Sequence, residues 1–468
     1  LAGAVDYLLC TTQNEDVMAD STALLVELTE KMLVAARSAG AEQADAIAVS
    51  GSTVGIDVRK AGLEHAERSE ATEIGLRVLL DRRQALVSGS DLRDTTLSAM
   101  AERAVAMAKA APEDVYCGLA EPAQLAQSTD HKALELTDPA PEPDAGALKQ
   151  DALAAEQAAQ SVSGITQIEA ASAGYGRSQI WLAASNGFSG GYCRSWRALS
   201  CVSIAGTDSD MERDYDGDSR IFHSDLRSAE EIGRKAAERT LARLGPRKPP
   251  TGRFPVLFDE RVAASLIGHL LTAVNGASIA RGSSWLRDAL DTQVLPAGMS
   301  IIEDPHRPRV GGSRLFDGEG LATRRRSIVE RGVLTGWTLD LASARRLGLQ
   351  STANAARSVA GPPSPSTSNI ELSAGEQSRA DLIRDMGEGL LVTSLIGATI
   401  NPTTGDYSRG ASGLWIENGE ISHPVSECTI AGNLRDMLLC LIPANDARKH
   451  LSRVVPSLLV EGMTIAGA

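Results

Sequence analysis

Aromatic residues are scarce in this 468-residue chain: Phe, Trp and Tyr together make up 3%. Its cores must therefore be largely aliphatic, and the plentiful Ala and Gly allow close backbone approach. Cysteine is sparse as well. Cys10, Cys117, Cys193, Cys201, Cys428 and Cys440 include no C-x-x-C pair, and a chain this long has enough apolar mass to fold without staples. They read as free thiols in a reducing compartment, not as a disulfide framework. No apolar run approaches the roughly 20 residues that a membrane-spanning helix needs. The first residues lack the basic and unbroken apolar segments of a signal peptide, and Asp6 interrupts them. A cytoplasmic location is expected, with no membrane partner. Positive charge is also in deficit: Lys and Arg number 46 against 60 Asp and Glu, a net charge of −14. That balance repels phosphate backbones and argues against nucleic acid as a partner. The basic triplet Arg324-Arg325-Arg326 reads as a solvated turn or strand edge.

Domains run to about 100–200 residues, so the length suggests two large domains or three smaller ones. A helix is expected around 24–36, with Gly40 closing it. Segments 46–49, 54–59, 73–80 and 85–88 read as a meander broken at Gly51, Gly62 and Asp81. Helices follow near 95–110 and 147–160. Three β-rich runs lie at 165–173, 179–185 and 192–207, the last two joined by an Asn186-Gly187 turn. Ser228 and Glu231 form a capping box that opens a helix to about 244. Gly245-Pro-Arg-Lys-Pro-Pro-Thr-Gly252 then interrupts every periodicity and is the best domain boundary. A strand at 254–258 and a helix at 260–275 open the second half. The rest is mostly strands and Gly-rich turns, with an extended polar loop at 361–368. No repeat of fixed period is present. The expected fold is α+β with two domains. Residues 21–245 form a mixed antiparallel sheet with helices, and residues 253–468 form a barrel-like curved β-sheet. Residues 1–20 read as a disordered or non-native extension, with the biological start near Met18.

The richest local pattern lies near the C-terminus. Gly405-Asp-Tyr-Ser-Arg-Gly410 leads into the apolar run Leu414-Trp415-Ile416. Asn418-Gly419 is a strong tight-turn pair, and 421–430 returns as a second strand. Gly410, Gly413, Gly419 and Gly432 punctuate these strands. They are either plain turn residues or signs of a sheet that lets an extended peptide approach.

A zinc peptidase needs two histidines on adjacent helical turns and a carboxylate to activate water. The helix expected at 260–275 has one histidine, His269, while positions 264, 265, 273 and 274 are Ala, Ser, Ala and Val. No two of the seven histidines pair at helical spacing. No catalytic zinc site is recognisable, and His269 reads as structural. Asp214-Tyr-Asp-Gly-Asp218, with Asp225, loosely resembles a calcium loop. It has Ser219 at the sixth position and Asp at the twelfth, so it reads as a hairpin-end acidic cluster. No G-x-S-x-G elbow occurs. Ser408 lies near Asp406 and Arg409, with His423 on the return strand, but one hairpin does not establish a triad. No catalytic residue is assigned. Asp406, Tyr407, Ser408, Arg409 and Gly410 are candidates for lining a substrate or a chamber.

Further segments appear in a fixed order: Asn186-Gly-Phe-Ser-Gly-Gly-Tyr192, Arg213-Asp-Tyr-Asp216, Phe316-Asp-Gly-Glu-Gly320, Asn369-Ile-Glu-Leu-Ser-Ala-Gly375 and Val425-Ser-Glu-Cys-Thr-Ile-Ala-Gly-Asn-Leu434. With Gly405–Gly410, they make the chain resemble the TldD/PmbA family, on its PmbA (TldE) branch. The resemblance runs over most of the chain and is clearest from Thr251 onward. It implies a subunit with a barrel-like C-terminal domain and a TldD-type partner that carries H-E-x-x-x-H and zinc. The family's zinc subunit also takes a cysteine near its C-terminus, where Ser452–Val460 here contains none. Zinc is therefore expected in the partner and no cofactor in this chain, with proteolysis only as part of the heterodimer. The implied substrates are extended or unfolded peptides, as in microcin maturation and antitoxin degradation. The rival reading is a non-enzymatic homodimeric regulator, in keeping with the family's older label "modulator of DNA gyrase". A third is a stand-alone hydrolase with an unrecognised site.

Overall fold

The computed structural model describes residues 21–467, without the side chains of residues 209, 398 and 399. The expected N-terminal extension, Met18 and Cys10 lie outside the described residues.

The N-terminal half is built on one six-stranded antiparallel sheet. In chain order its strands are β1 (Gln43–Arg59), β2 (Gly62–Leu80), β3 (Arg83–Gly89), β4 (Ile165–Ala184), β5 (Ser189–Ala205) and β6 (Glu212–Arg220). In space they run β3-β2-β1-β4-β5-β6. Helices α1 (residues 21–38) and α2 (Asp94–Ala110) bury Leu25, Met32, Leu97 and Ala101 against Ile74, Leu76 and Val78. Helices α3 (Ala145–Gln160) and α4 (Ala229–Leu241) bury Leu148, Ala152, Ile232 and Ala236 against Val54, Ile56 and Leu199.

Two expected breaks are not breaks. β1 runs straight through Gly51, where a Cβ would sit 3.3 Å from the Arg177 carbonyl on the paired strand. The runs 165–173 and 179–185 are a single strand through Gly174 and Gly176. A Cβ at Gly176 would fall 2.4 Å from the Trp196 indole nitrogen. These glycines admit a close neighbour; they do not turn the chain. The capping box is half formed. Ser228 accepts from the Glu231 N–H, but the Glu231 carboxylate pairs with Arg227 at 3.3 Å and the helix ends at Leu241.

The C-terminal half opens with β7 (Gly252–Phe258), which passes directly into α5 (Glu260–Ala273). Asp259 caps this helix by accepting from the Arg261 N–H. A five-stranded barrel closes around the main core. Its order is Glu420–Asn433, Asp406–Glu417, Gly389–Ile400, β7 and Leu458–Ala466, and the first strand pairs back to the last. Five of the aromatics, Phe258, Trp285, Trp337, Tyr407 and Trp415, are buried in this core. The expected α+β fold, with its N-terminal antiparallel sheet and barrel-like C-terminal part, is the fold observed.

Two local expectations are corrected. Residues 361–368 are not simply a loop, because Gly361–Pro365 pairs with Ala355–Ser358 as a hairpin. Arg326 is not solvated. Its side chain pairs with buried Glu303 at 2.8 Å and donates to the Trp337 carbonyl.

Candidate functional site

β7 is shorter than its neighbour. It pairs with Gly389–Ile400 only over Leu390–Val392, then turns into α5. Beyond Val392 that strand pairs only with Asp406–Glu417. Its other edge borders a cavity of about 800 Å³ between the two halves, lined by Arg213, Arg243, Arg261, Ser265, Ser394 and Arg409 among others. Ile396 stands on this edge with 67% of its surface exposed. Unpaired backbone groups beside a cavity can hydrogen-bond an extended chain.

β6 forms the opposite wall. Strand alternation puts Asp214, Asp216 and Asp218 on one face, and all three are buried. Asp214 meets Arg261 at 3.0 Å, and Asp216 meets Arg227 at 2.8 Å and Arg239 at 2.5 Å. Asp218 meets Arg220 at 2.9 Å and the His450 imidazole at 3.4 Å. Burial pushes the Asp218 carboxyl up, but His450, Arg220 and the Arg227 N–H outweigh it and hold it below the usual carboxylate range. The expected hairpin-end cluster is thus corrected. These aspartates lie within a strand, and guanidinium groups occupy the space a calcium ion would need.

The other cleft arginines are also neutralised. Arg213 pairs with Glu169 at 2.9 Å and Arg243 with Glu212 at 3.2 Å. Arg261 also reaches the helix-capping Asp259, which holds Arg379 at 2.5 Å. Arg409 is the exception. Among the described residues no carboxylate pairs with it, and its Nε is buried without a hydrogen-bond partner.

Two more orphan atoms lie beside it. Tyr407 shares its strand face with Arg409, is 1% exposed, and its hydroxyl has no partner. His269 lies one helical turn beyond the cleft-lining Ser265. Its ring meets that of Tyr407 edge-on at 6.0 Å, and its Nε2 is also buried and unpartnered. The Arg409 guanidinium acts on His269 by its charge, and on Tyr407 by its charge and by a close side-chain approach that falls short of an aligned hydrogen bond. Burial pushes the Tyr407 phenol up to about 12, against a smaller opposing pull from Arg409. Burial first, and then the Arg409 charge, lower the His269 imidazole.

The remaining candidates divide by strand alternation. Asp406 is exposed and accepts from the Thr404 hydroxyl at 2.6 Å and the Asn433 amide at 3.1 Å, so it organises the turn. Ser408 and Gly410 are half-buried. Ser408 pairs with Ala431 and His423 with Trp415, which puts positions 408 and 415 roughly 24 Å apart along the strand. That hairpin makes no Ser–His pair. Buried Cys428 donates its thiol to the Ala411 carbonyl at 3.2 Å. Among the described residues no three His, Cys, Asp or Glu side chains are grouped to hold a metal ion. The surroundings of His269 also suit a cation poorly, because the nearest charge is a guanidinium.

Comparison with known proteins matches this architecture throughout. Family profiles described as PmbA/TldA metallopeptidase domain 1, central domain and C-terminal domain match residues 44–108, 138–244 and 251–467. The metalloprotease PmbA of Escherichia coli O157:H7 is 37% identical over 437 residues, covering 93% of this chain and 94% of the relative. The chain belongs to the PmbA/TldD family. A PmbA homologue of Haemophilus influenzae is 36% identical, with 96% of this chain and 99% of the relative covered. A Bacteroides thetaiotaomicron crystal structure, named as a candidate modulator of DNA gyrase, superposes with a TM-score of 0.86 at 26% identity. It covers 94% of this chain and 98% of that one. TldE of Thermococcus kodakarensis shares the fold, with a TM-score of 0.81 at 19% identity over 94% and 99% of the two chains. Within this PmbA/TldD member, the open strand edge and the arginine pairing along β6 escaped sequence reading. Their signals were present: an apolar run at 389–400 longer than its partner, and an Asp-x-Asp-x-Asp alternation at strand spacing.

Proposed function

We propose that this chain is the PmbA/TldE-type subunit of a cytoplasmic metallopeptidase complex that processes unfolded peptides, with zinc supplied by a TldD-type partner. The observation that carries the reading is the unpaired edge of Gly389–Ile400 bordering the cavity between the two halves. An extended peptide laid along Ser394–Ile396 would gain main-chain hydrogen bonds there without regard to its sequence. The metalloprotease names of the relatives support the peptidase context. The side chains around His269 fit zinc poorly, so this chain's part is to hold substrate backbone and help enclose it.

The test mixes purified subunits. This chain alone should leave an unfolded peptide intact, and the mixture with an H-E-x-x-x-H partner should cleave it. Equal cleavage by the partner alone would overturn the proposal. The gyrase name of the Bacteroides structure favours a second reading, a homodimeric regulator. A homodimer that refuses the zinc-bearing partner would support that one instead.

A further inference from the structure

The ground behind Arg409, beside the cleft, is built differently from the cleft's walls. Three polar atoms converge there with no protein partner: the Tyr407 hydroxyl, the Arg409 Nε and the His269 Nε2. Leaving a buried donor or acceptor unsatisfied costs about 1–3 kcal/mol each, so a cluster of three is an unusual liability for a fold to carry. The groups share one geometry. Tyr407 and Arg409 point from one face of their strand toward His269 on α5, and Arg409 also lines the cavity. All three can donate: guanidinium, phenol, and a neutral imidazole protonated at Nε2. The only charge among them is positive and has no carboxylate beside it.

That constellation calls for a ligand that only accepts hydrogen bonds and carries negative charge. A carboxylate does both, presenting two oxygens that suit a guanidinium. A cation is excluded by Arg409. A backbone carbonyl would leave the charge uncompensated. The neighbouring strand edge runs toward the same corner, since Ile396 pairs with Gly410 and Ile400 with Tyr407.

We propose that His269, Tyr407 and Arg409 form a carboxylate-binding site that anchors one end of an extended peptide lying on the open edge. This proposal rests on the peptide-binding reading above and adds a substrate class to it: peptides bearing a carboxylate at a fixed place, either the chain terminus or an Asp or Glu side chain.

The test uses fluorescein-labelled unstructured Gly/Ser/Ala decapeptides and fluorescence anisotropy, on the full chain and on its complex with the partner. Three peptides are compared: a free C-terminal acid, its amide, and an amide carrying a penultimate Asp. The acid should bind about tenfold or more tightly than the amide, as expected for a charge-assisted pair. Arg409→Gln should abolish that ratio by weakening the acid alone, and Arg409→Lys should keep part of it. Tyr407→Phe should reduce the ratio severalfold without lowering the unfolding temperature, which a merely structural hydroxyl would not do. Recovery of affinity by the Asp-bearing amide assigns the site to a side-chain carboxylate, and failure to recover assigns it to the chain terminus. Equal binding of acid and amide by the unsubstituted protein overturns the carboxylate site and leaves the peptide cleft standing. Absence of binding by all three peptides, alone and in complex, overturns both.

Discussion

Helix α5 carries two charge environments about two turns apart. At its N-terminus Arg261 is held by Asp214 on β6 and by the capping Asp259, and every aspartate of β6 has at least one cationic partner. Farther along, His269 faces Tyr407 and Arg409, and each of the three has a buried polar atom without a partner. The two places line or border one cavity, yet one is saturated and the other is not. Buried charge that is fully paired fastens elements together but leaves nothing for a ligand to use. Buried polar groups left unpaired destabilise the empty protein and are worth retaining where a ligand completes them. The contrast assigns the β6 network to fastening elements, with Asp216 holding β6 to the α4 region and Asp214 and Asp218 reaching Arg261 and His450 of the second half, and the His269 corner to recognition.

The largest effect should come from breaking the saturated side. Asp216→Ala leaves Arg227 and Arg239 facing each other across the space of a buried carboxylate. Removing one partner of such a cluster costs about 3–5 kcal/mol. Chemical denaturation should show that loss, together with a lower unfolding midpoint. A change below about 1 kcal/mol would mean the network is dispensable, and the contrast would collapse.

How much of this was legible beforehand follows the range of the forces involved. Local signals read well. Asn418 and Gly419 turn with positive φ where the dipeptide predicts. Gly51 misled, because a close backbone neighbour produces the same residue as a turn does, and the runs 165–173 and 179–185 join through Gly174 and Gly176 where an indole packs close. The five-residue stretch Asp406–Gly410 was singled out as a block, but the strand period divides it, and only Tyr407 and Arg409 face His269. That division depends on register, and the approach of α5 depends on barrel closure. Both are tertiary facts. His269 itself read as a lone structural residue because its companions come from a strand more than a hundred positions away.

A matched pair of substitutions sharpens the comparison at the level of one atom. The Tyr192 hydroxyl accepts from the Leu315 and Phe316 N–H groups, each at 2.8 Å, and donates to the Phe316 carbonyl at 3.0 Å. Tyr192→Phe strands those backbone groups and should cost about 1–3 kcal/mol. Tyr407→Phe removes a hydroxyl that has no partner, so stability should hold or rise by up to about 1 kcal/mol. Both follow from thermal unfolding of the two variants side by side. Equal losses would mean that Tyr407 is satisfied after all.

The smallest effect separates the two environments by pH. The His269 imidazole is lowered by burial and by Arg409, so the unfolded chain takes up a proton there before the folded one does. Its contribution is therefore full above the unfolded value of about 6.5 and is lost as pH falls below it. Asp218 behaves with the same sign in a different window. Its carboxyl is held below the usual range, so its contribution is present above about 3.9 and fades only as pH falls through the lower folded value. Unfolding free energy followed from pH 8 to pH 3 should thus show a shallow decline that begins near 6.5 and a separate, more acidic loss. His269→Gln should remove the first and leave the second, and Asp218→Asn should leave the first and shrink the second, to which the lowered carboxyls of Asp91, Asp381 and Asp406 also contribute. If His269→Gln leaves the decline near 6.5 unchanged, another histidine titrates there and the imidazole beside Arg409 is already compensated.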